Sequence, residues 1–395
     1  MKSTAGLDVS KDARVHVTDF GAVSRIDLNM LGADLGAEPA GGREEWSREQ
    51  NRRLCDFMAA AMAKLGGSFD SIAEWTVAVN ARYGLQDMRE VRTARFGGGF
   101  RSAITTLPWG HPTSPKSVSI QAVAYVPKHK GVHFAVRAWQ PASLYDCAFL
   151  GLSPAVIVEV GPVKLIYLSG VVAWDKAIKP LAGDDPRAQV RIVLQKIQEV
   201  MGEAGGTPAD VVRLRPFTAS VAVAQLVREE CARLWTGRGF PSPALLVAEK
   251  TSFWGAPSLY TEIQAMGVVG GAGCHIGQDE CTVAGITSDI TRIRRTTAPD
   301  WEMYHVSELR AAAGAKDEAG DIARRVGRVM SALTLEPGDV CLAVGYVSSA
   351  EVMARLASGL RDRIDPSALH LVHCPPMPEL NGGTVKLELT ARKMK

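Results

Sequence analysis

Few stretches of this chain carry reactive groups close together. The run CHIGQDEC, Cys274 to Cys281, gathers two thiols, the His275 imidazole and two carboxylates, which is the donor set of a zinc site. It has no second ligand pair at zinc-like spacing, so no metal is expected. In HLVHC, His370 and His373 are an odd number of residues apart, so a strand there turns them to opposite faces and they share no site without a bulge. The glycine-rich RFGGGFR, Arg95 to Arg101, could let backbone N–H groups approach an anion. It lacks the Lys-Ser/Thr ending of a phosphate loop and precedes a strand pattern rather than a helix. His111, His275 and His305 are candidate general bases near neutral pH. Neither GxSxG nor HExxH occurs, so a serine-hydrolase elbow and a zinc peptidase are unsupported. Any reaction must therefore be assembled from residues distant in sequence, and the elements that bring them together decide where.

Those elements repeat. Between Asp185 and Phe217 the sequence reads as a capped helix, a glycine stop and a strand. Val193, Ile197, Val200, Met201 and Ala204 form one apolar stripe, Asp185-Pro186 is an N-cap with proline at the first helical position, and Gly205-Gly206 ends the helix. Subtracting 139 lands on Leu54, Met58, Ala61, Met62 and Leu65, and carries Gln189 onto Gln50 and the glycine pair onto Gly66-Gly67. Adding 129 lands on Ile322, Val326, Val329, Met330 and Leu333, and carries Pro208 and Asp210 onto Pro337 and Asp339. Stripe, stop, turn and strand in one register three times mark an internal triplication. Each copy reads as apolar strands, a helix, a strand, a second helix and two closing strands, an α+β unit with both helices on one face of its sheet. The second helix is clearest in AVAQLVREECARLW and AEVMARLASGLRDR. The units are expected at 1–129, 130–270 and 271–395, each of about 125 residues, a natural size for one core.

The second copy carries YLSGVVAWD, then FPSPALLV, then LYTEIQAMGVV. In its serine-glycine strand end, glutamine-led helix and closing strand with a glutamate, it resembles the RidA/YjgF family of reactive-intermediate deaminases. The resemblance implies a chorismate mutase-like unit and, with three copies in one chain, a single-chain pseudo-trimer with sheets inside, helices outside and ligand clefts between units. It implies a cofactor-independent deaminase, hydrolase or lyase acting on a small imine, enamine or related carboxylate-bearing metabolite. The family's carboxylate-binding arginine, in a pattern like P-x-R-[ST], matches Arg101 in FRSAITTL, whereas Pro243 and Ser367 stand there in the other copies. Its glutamate matches Glu262, with Ser119 and Lys386 at the corresponding places. The serine-glycine strand end is Ser169-Gly170, against Leu31-Gly32 and Ser307-Glu308. Arg101 is thus expected to anchor an anion, Glu262 to move protons, and Ser169, Gly170 and Trp174 to line the pocket. Because Arg101 and Glu262 lie on different copies, they either converge at one interface or serve separate clefts.

Composition limits the alternatives. With 45 basic and 42 acidic residues the net charge is +3, and the densest basic cluster, RIRR at 292–295, reads as a solvated surface turn; no nucleic-acid partner is expected. No run reaches the roughly 18 apolar residues that span a bilayer, and the N-terminal stretch has no signal-peptide core. Seven cysteines without a CxxC pair read as reduced thiols and cytoplasmic residence is the expectation, while the fused pseudo-trimer that the resemblance implies suggests a monomer. Two other functions fit the pattern: a non-catalytic binding or scaffolding protein, and a ring-opening amidohydrolase like the cyanuric acid hydrolases, which also carry three repeats.

Overall fold

The apolar stripes become helix faces that fold against sheets. The structure, a computed structural model, describes residues 13–31, 43–78, 85–96, 102–107, 118–235, 244, 246–247, 258–288, 291–374, 377 and 383–395. Its first unit runs β1 (Ala13–Phe20), β2 (Val23–Leu31), α1 (Arg43–Lys64), β3 (Ile72–Ala78), α2 (Leu85–Phe96), β4 (Ala103–Leu107) and β5 (Ser119–Pro127). The second runs β6 (Phe134–Trp139), β7 (Ala155–Val160), β8 (Val163–Val171), α3 (Pro186–Glu203), β9 (Val211–Thr218), α4 (Val221–Leu234), β10 (Leu246–Val247) and β11 (Thr261–Gly270). The third runs β12 (Gly277–Cys281), β13 (Ile293–Thr297), β14 (Trp301–Arg310), α5 (Glu318–Ala332), β15 (Val340–Val347), α6 (Ala350–Leu360), β16 (Leu369–His373) and β17 (Val385–Met394).

Local chemistry repeats with the topology. Met58, Ala61 and Met62 of α1, Val193, Ile197, Val200 and Met201 of α3, and Ile322, Val326 and Val329 of α5 are all buried. Asp185 accepts from the Ala188 amide at 3.0 Å to cap α3, and Asp317 caps α5 in the same way. Two residues past the first helix of each unit the backbone is left-handed: Gly66 and Gly205 at φ +84° and +88°, and Thr334, where the third copy has no glycine, at φ +51°. A 3-10 turn closed by a capping box (Phe69–Ser71, Pro208–Asp210, Pro337–Asp339) then feeds each central strand. Early in each first helix a side chain, buried in the first two units, holds the start of the closing strand. Gln50 accepts from the Val118 amide and Gln189 from the Tyr260 amide, while Glu318 accepts from the Thr384 amide and hydroxyl.

The sheets are ordered β1-β2-β5-β3-β4, β10-β9-β11-β8-β7-β6 and β12-β13-β14-β17-β15-β16. In each, only the strand after the second helix (β4, β10, β16) runs parallel to its neighbour. The three units form a single-chain pseudo-trimer, with the sheets inside and the helices outside. Phe20 and Tyr125, Tyr167 and Met266, and Trp301 and Cys341, from the three sheets in turn, share one core. Two features were not read from sequence: β6 and β12 add outer strands to the second and third sheets, and RIRR is no surface turn. Residues 293–297 form β13 between two strands, and Arg294 is only 2 % exposed, because pairing on both sides forces alternate side chains inward.

At the centre, equivalent positions carry different chemistry. Thr76 faces Gln121 across the β3–β5 ladder, Arg215 faces Gln264 across β9–β11, and Val344 faces Glu388 across β15–β17. Arg215 donates to Glu388 from Nε and Nη2 at 2.9–3.1 Å, and from Nη1 to Gln264 at 2.8 Å and Thr76 at 3.3 Å. The Tyr346 hydroxyl donates to the same carboxylate at 2.9 Å. One network thus joins all three units. One layer away Arg213 of the second unit pairs with Glu74 of the first, at positions again 139 apart. Burial works against the Arg215 charge, but Glu388 beside it more than offsets this and raises the guanidinium pKa.

Breaking a buried pair leaves a charge without a partner, so Glu388→Ala should cost about 3–5 kcal/mol in urea unfolding. The double substitution Arg215→Met/Glu388→Leu should recover most of that loss; a double variant as unstable as the single one would contradict the charge argument.

Candidate functional site

The seams between units are built from the same parts. At the seam of the first and second units, β4 runs along β8. The Ser169 hydroxyl accepts from the Ile104 amide at 2.8 Å and donates to the Ser153 carbonyl at 2.6 Å, while the Ser153 amide donates to the Ser102 carbonyl at 3.2 Å. Ser169 is 4 % exposed and its hydroxyl clamps two units together. Both partners are backbone groups, and among the described residues no base hydrogen-bonds this hydroxyl to activate it as a nucleophile, which a ring-opening amidohydrolase of the serine type requires.

Glu262 lies on the inward face of β11, 3 % exposed and two residues before Gln264 of the central network. The β8–β11 register slips between Ile263 and Ala265, and this bulge brings the Glu262 carboxylate over Gly170. A Cβ on residue 170 would fall 1.6 Å from Glu262 Oε1, so only glycine leaves the carboxylate that position. The Tyr145 hydroxyl donates to the Gly170 carbonyl and accepts from the Val172 amide, each at 3.3 Å. Trp174 packs edge-on against Tyr145, with ring centroids 5.2 Å apart. Burial, with the neighbouring Cys147 and Glu262 charges adding to it, pushes the Tyr145 hydroxyl well above its usual range. Burial, then the Asp146 and Glu262 charges, push the Cys147 thiol up to about 12.

Ser169, Gly170, Trp174 and Glu262 therefore meet on one wall of the second unit. Tyr145, Trp174, Phe217 and Leu259 of that wall share a core with Ile104 and Val118 of the first unit. Arg101 and His111 lie outside the described residues, as does Lys250. The chain is described again at Ser102, whose hydroxyl donates to the Ile72 carbonyl at 2.6 Å and whose own carbonyl meets Ser153. Tyr145 and Cys147 carried no motif and were not anticipated. They come from the connection between β6 and β7, a segment without periodicity, and only the fold lays it across the strand end.

The other two seams have been put to different use. Between the second and third units, Glu308 stands where Gly170 does, in the left-handed region at φ +46° with its carboxylate buried. Arg228 of α4 donates to it at 3.0 Å, Arg310 pairs with it, and Lys386, in the place of Glu262, is 4.0 Å away. The charge at the place of Glu262 is reversed, and at the place of Gly170 a side chain fills the space above the strand end. Between the third and first units, Ser119 takes the place of Glu262 and its hydroxyl is 3.1 Å from His370 Nε2. Ser367, in the place of Arg101, donates to Asp365 at 2.6 Å and lies 2.8 Å from His16 Nδ1. Of the other candidate bases, His305 is buried beside Thr390, and burial together with Arg213, Arg25, Arg215 and Arg294 holds it well below the usual imidazole range.

Comparison with known proteins finds a family match in the second unit. Residues 152–266, the second unit, match the family model described as Endoribonuclease L-PSP. A YjgF/YER057c/UK114 family member from Mycobacterium tuberculosis is 32 % identical over 31 % of this chain and 91 % of its own, with a TM-score of 0.25. A Rid-family protein from Yersinia pestis is 29 % identical over 34 % of this chain and 98 % of its own, with a TM-score of 0.25. A chorismatase is 14 % identical over 64 % of this chain and 80 % of its own, with a TM-score of 0.41.

A thiol with a pKa near 12 is ionised at pH 8 to only about one part in ten thousand. In the native protein Cys147 should stay unmodified by iodoacetamide at that pH and react fully after urea unfolding, as read by peptide mass mapping. Fast native labelling would show that the wall around Glu262 is open to solvent.

Proposed function

Because the chain belongs to the RidA/YjgF family, we propose that the seam between its first and second units is an active site for a small imine or enamine bearing a carboxylate. The observation that carries this reading is the position of Glu262 over Gly170, on a wall that faces β4, the strand Arg101 precedes by two residues. Arg101 supplies a planar guanidinium fork to hold the substrate carboxylate bidentately. Glu262 takes a proton from water as it adds to the C=N carbon and passes a proton to nitrogen; the carbinolamine then collapses to a 2-oxo acid and ammonia. The Gly170 strand end leaves room for the Glu262 carboxylate itself, and Tyr145 and Trp174 form the apolar side. This chemistry needs no cofactor.

In this reading the other seams are structural. Glu308 with its three cations fills one, and Ser119 with His370 ties the other, so the chain has one functional cleft rather than three. With the ring of three units complete within one polypeptide, the protein works as a monomer on a small-molecule substrate. A non-catalytic binding protein is the alternative, and it differs in what Glu262 does rather than in where ligands sit.

The test separates binding from chemistry. Arg101→Ala should abolish the thermal shift produced by small 2-oxo acids such as 2-oxobutanoate. Glu262→Gln should keep that shift but slow ammonia release from a 2-imino acid, generated in the assay, by about 10²–10⁴-fold in kcat. Ligand shifts unchanged in Arg101→Ala would overturn the site. Binding without any ammonia release by the unaltered protein would leave the binding protein as the function.

A further inference from the structure

The seam between the second and third units holds a partly enclosed cavity of about 20 Å3. One water-sized occupant requires roughly 10–15 Å3, so the space holds one small particle. Its wall includes Arg213 of β9, Arg294 of β13, His305 and Ser307 of β14, and Glu388 and Thr390 of β17. Four nitrogens on that wall have no hydrogen-bond partner among the described residues: Arg213 Nε, Arg294 Nε and Nη1, and His305 Nε2. All three residues are more than nine-tenths buried. Buried polar groups left without partners are rare in folded proteins and costly, and guanidinium N–H groups most of all.

The charges do not balance either. Arg213 is paired with Glu74, and Glu388 is held by Arg215 and Tyr346. Arg294 has no carboxylate within ion-pair distance among the described residues; its Nη2 donates to the neutral Ala209 carbonyl of the second unit. Burial pushes this guanidinium below its usual range, and the more distant Asp210, Asp279 and Glu280 only partly oppose that. One buried positive charge and three guanidinium N–H donors therefore face a cavity with room for one particle. His305 fits the same polarity: Nδ1 is 3.2 Å from Thr390 Oγ1, and when that hydroxyl donates to it, Nε2 carries the ring hydrogen and becomes a further donor.

We propose that this cavity binds a single halide-sized inorganic anion, gripped by Arg294 and Arg213 with His305 beside it, that joins the second unit to the third. Room for one water-sized particle favours a monatomic anion over phosphate, sulfate or a carboxylate. An anion there compensates Arg294 and engages donors from β9, β13 and β14 together, so it acts as a structural ligand of the folded chain. The site is separate from the cleft that holds Glu262, and the proposal stands whatever that cleft does.

Two measurements test it. Thermal unfolding of the full chain in sodium chloride or bromide should show a saturable rise in midpoint, of roughly 2 °C, over sodium gluconate at equal ionic strength. Arg294→Met should remove the difference between the salts. Crystals grown in sodium bromide should show an anomalous bromine peak within hydrogen-bond reach of Arg294 Nε, a result that needs no variant to fold. Superimposable curves in chloride and gluconate, or a cavity without bromine signal and filled by water, would overturn the proposal.

Discussion

A guanidinium at the centre of a protein requires a counter-charge, and the second unit does not supply one for Arg215. Its own sheet offers the Gln264 amide; the carboxylate comes from Glu388 of the third unit and a hydroxyl from Thr76 of the first. The desolvation cost of an unpaired charge there is several kcal/mol, so the second unit with its buried arginine is satisfied only inside the ring. The equivalent positions, Thr76 and Val344, carry no charge. Three copies of the second unit would crowd three arginines around one axis without an acid. The units are therefore not interchangeable, and a single chain fixes both their number and their order.

That constraint releases the seams from symmetry. In a ring of identical subunits every cleft must be the same. Here the place of Glu262 reads serine, glutamate and lysine in turn, and the place of Gly170 reads glycine in two copies and glutamate in the third. Glu308 shows how far the change has gone, since a left-handed glutamate with a buried carboxylate is tolerable only because Arg228, Arg310 and Lys386 surround it. Glycine at 170 and the β8–β11 bulge make room for the Glu262 carboxylate at one seam. Charge and packing consume the equivalent space elsewhere.

The fold was legible because its signals are local and repeated. The stripe at Val193, Ile197, Val200 and Met201 and its two echoes are properties of single helices, and three matches in one register outweigh the ambiguity of any one. The outer strands β6 and β12 were missed because an edge strand is stabilised by its neighbour more than by its own pattern, and GQDEC has no apolar alternation. Arg294 was misread for the same reason: a basic run looks solvated until pairing on both sides decides which side chains turn inward. Of the site, Ser169, Gly170, Trp174 and Glu262 were found through motif resemblance and do lie together. Their meeting with β4 of another unit, and the arrival of Tyr145 and Cys147, depend on tertiary placement that spacing does not encode. The clamping role of Ser169 was likewise invisible, because a hydroxyl in a strand end reads alike whether it binds a ligand or a neighbouring backbone.

The most direct measurement is a crystal structure of the full chain with 2-oxobutanoate, the kind of product the proposed reaction releases. The account requires one ligand per chain, between the first and second units, with its carboxylate on Arg101 and its carbonyl carbon beside Glu262. Ligand at either other seam, or Arg101 turned away from the wall that holds Glu262, would contradict it.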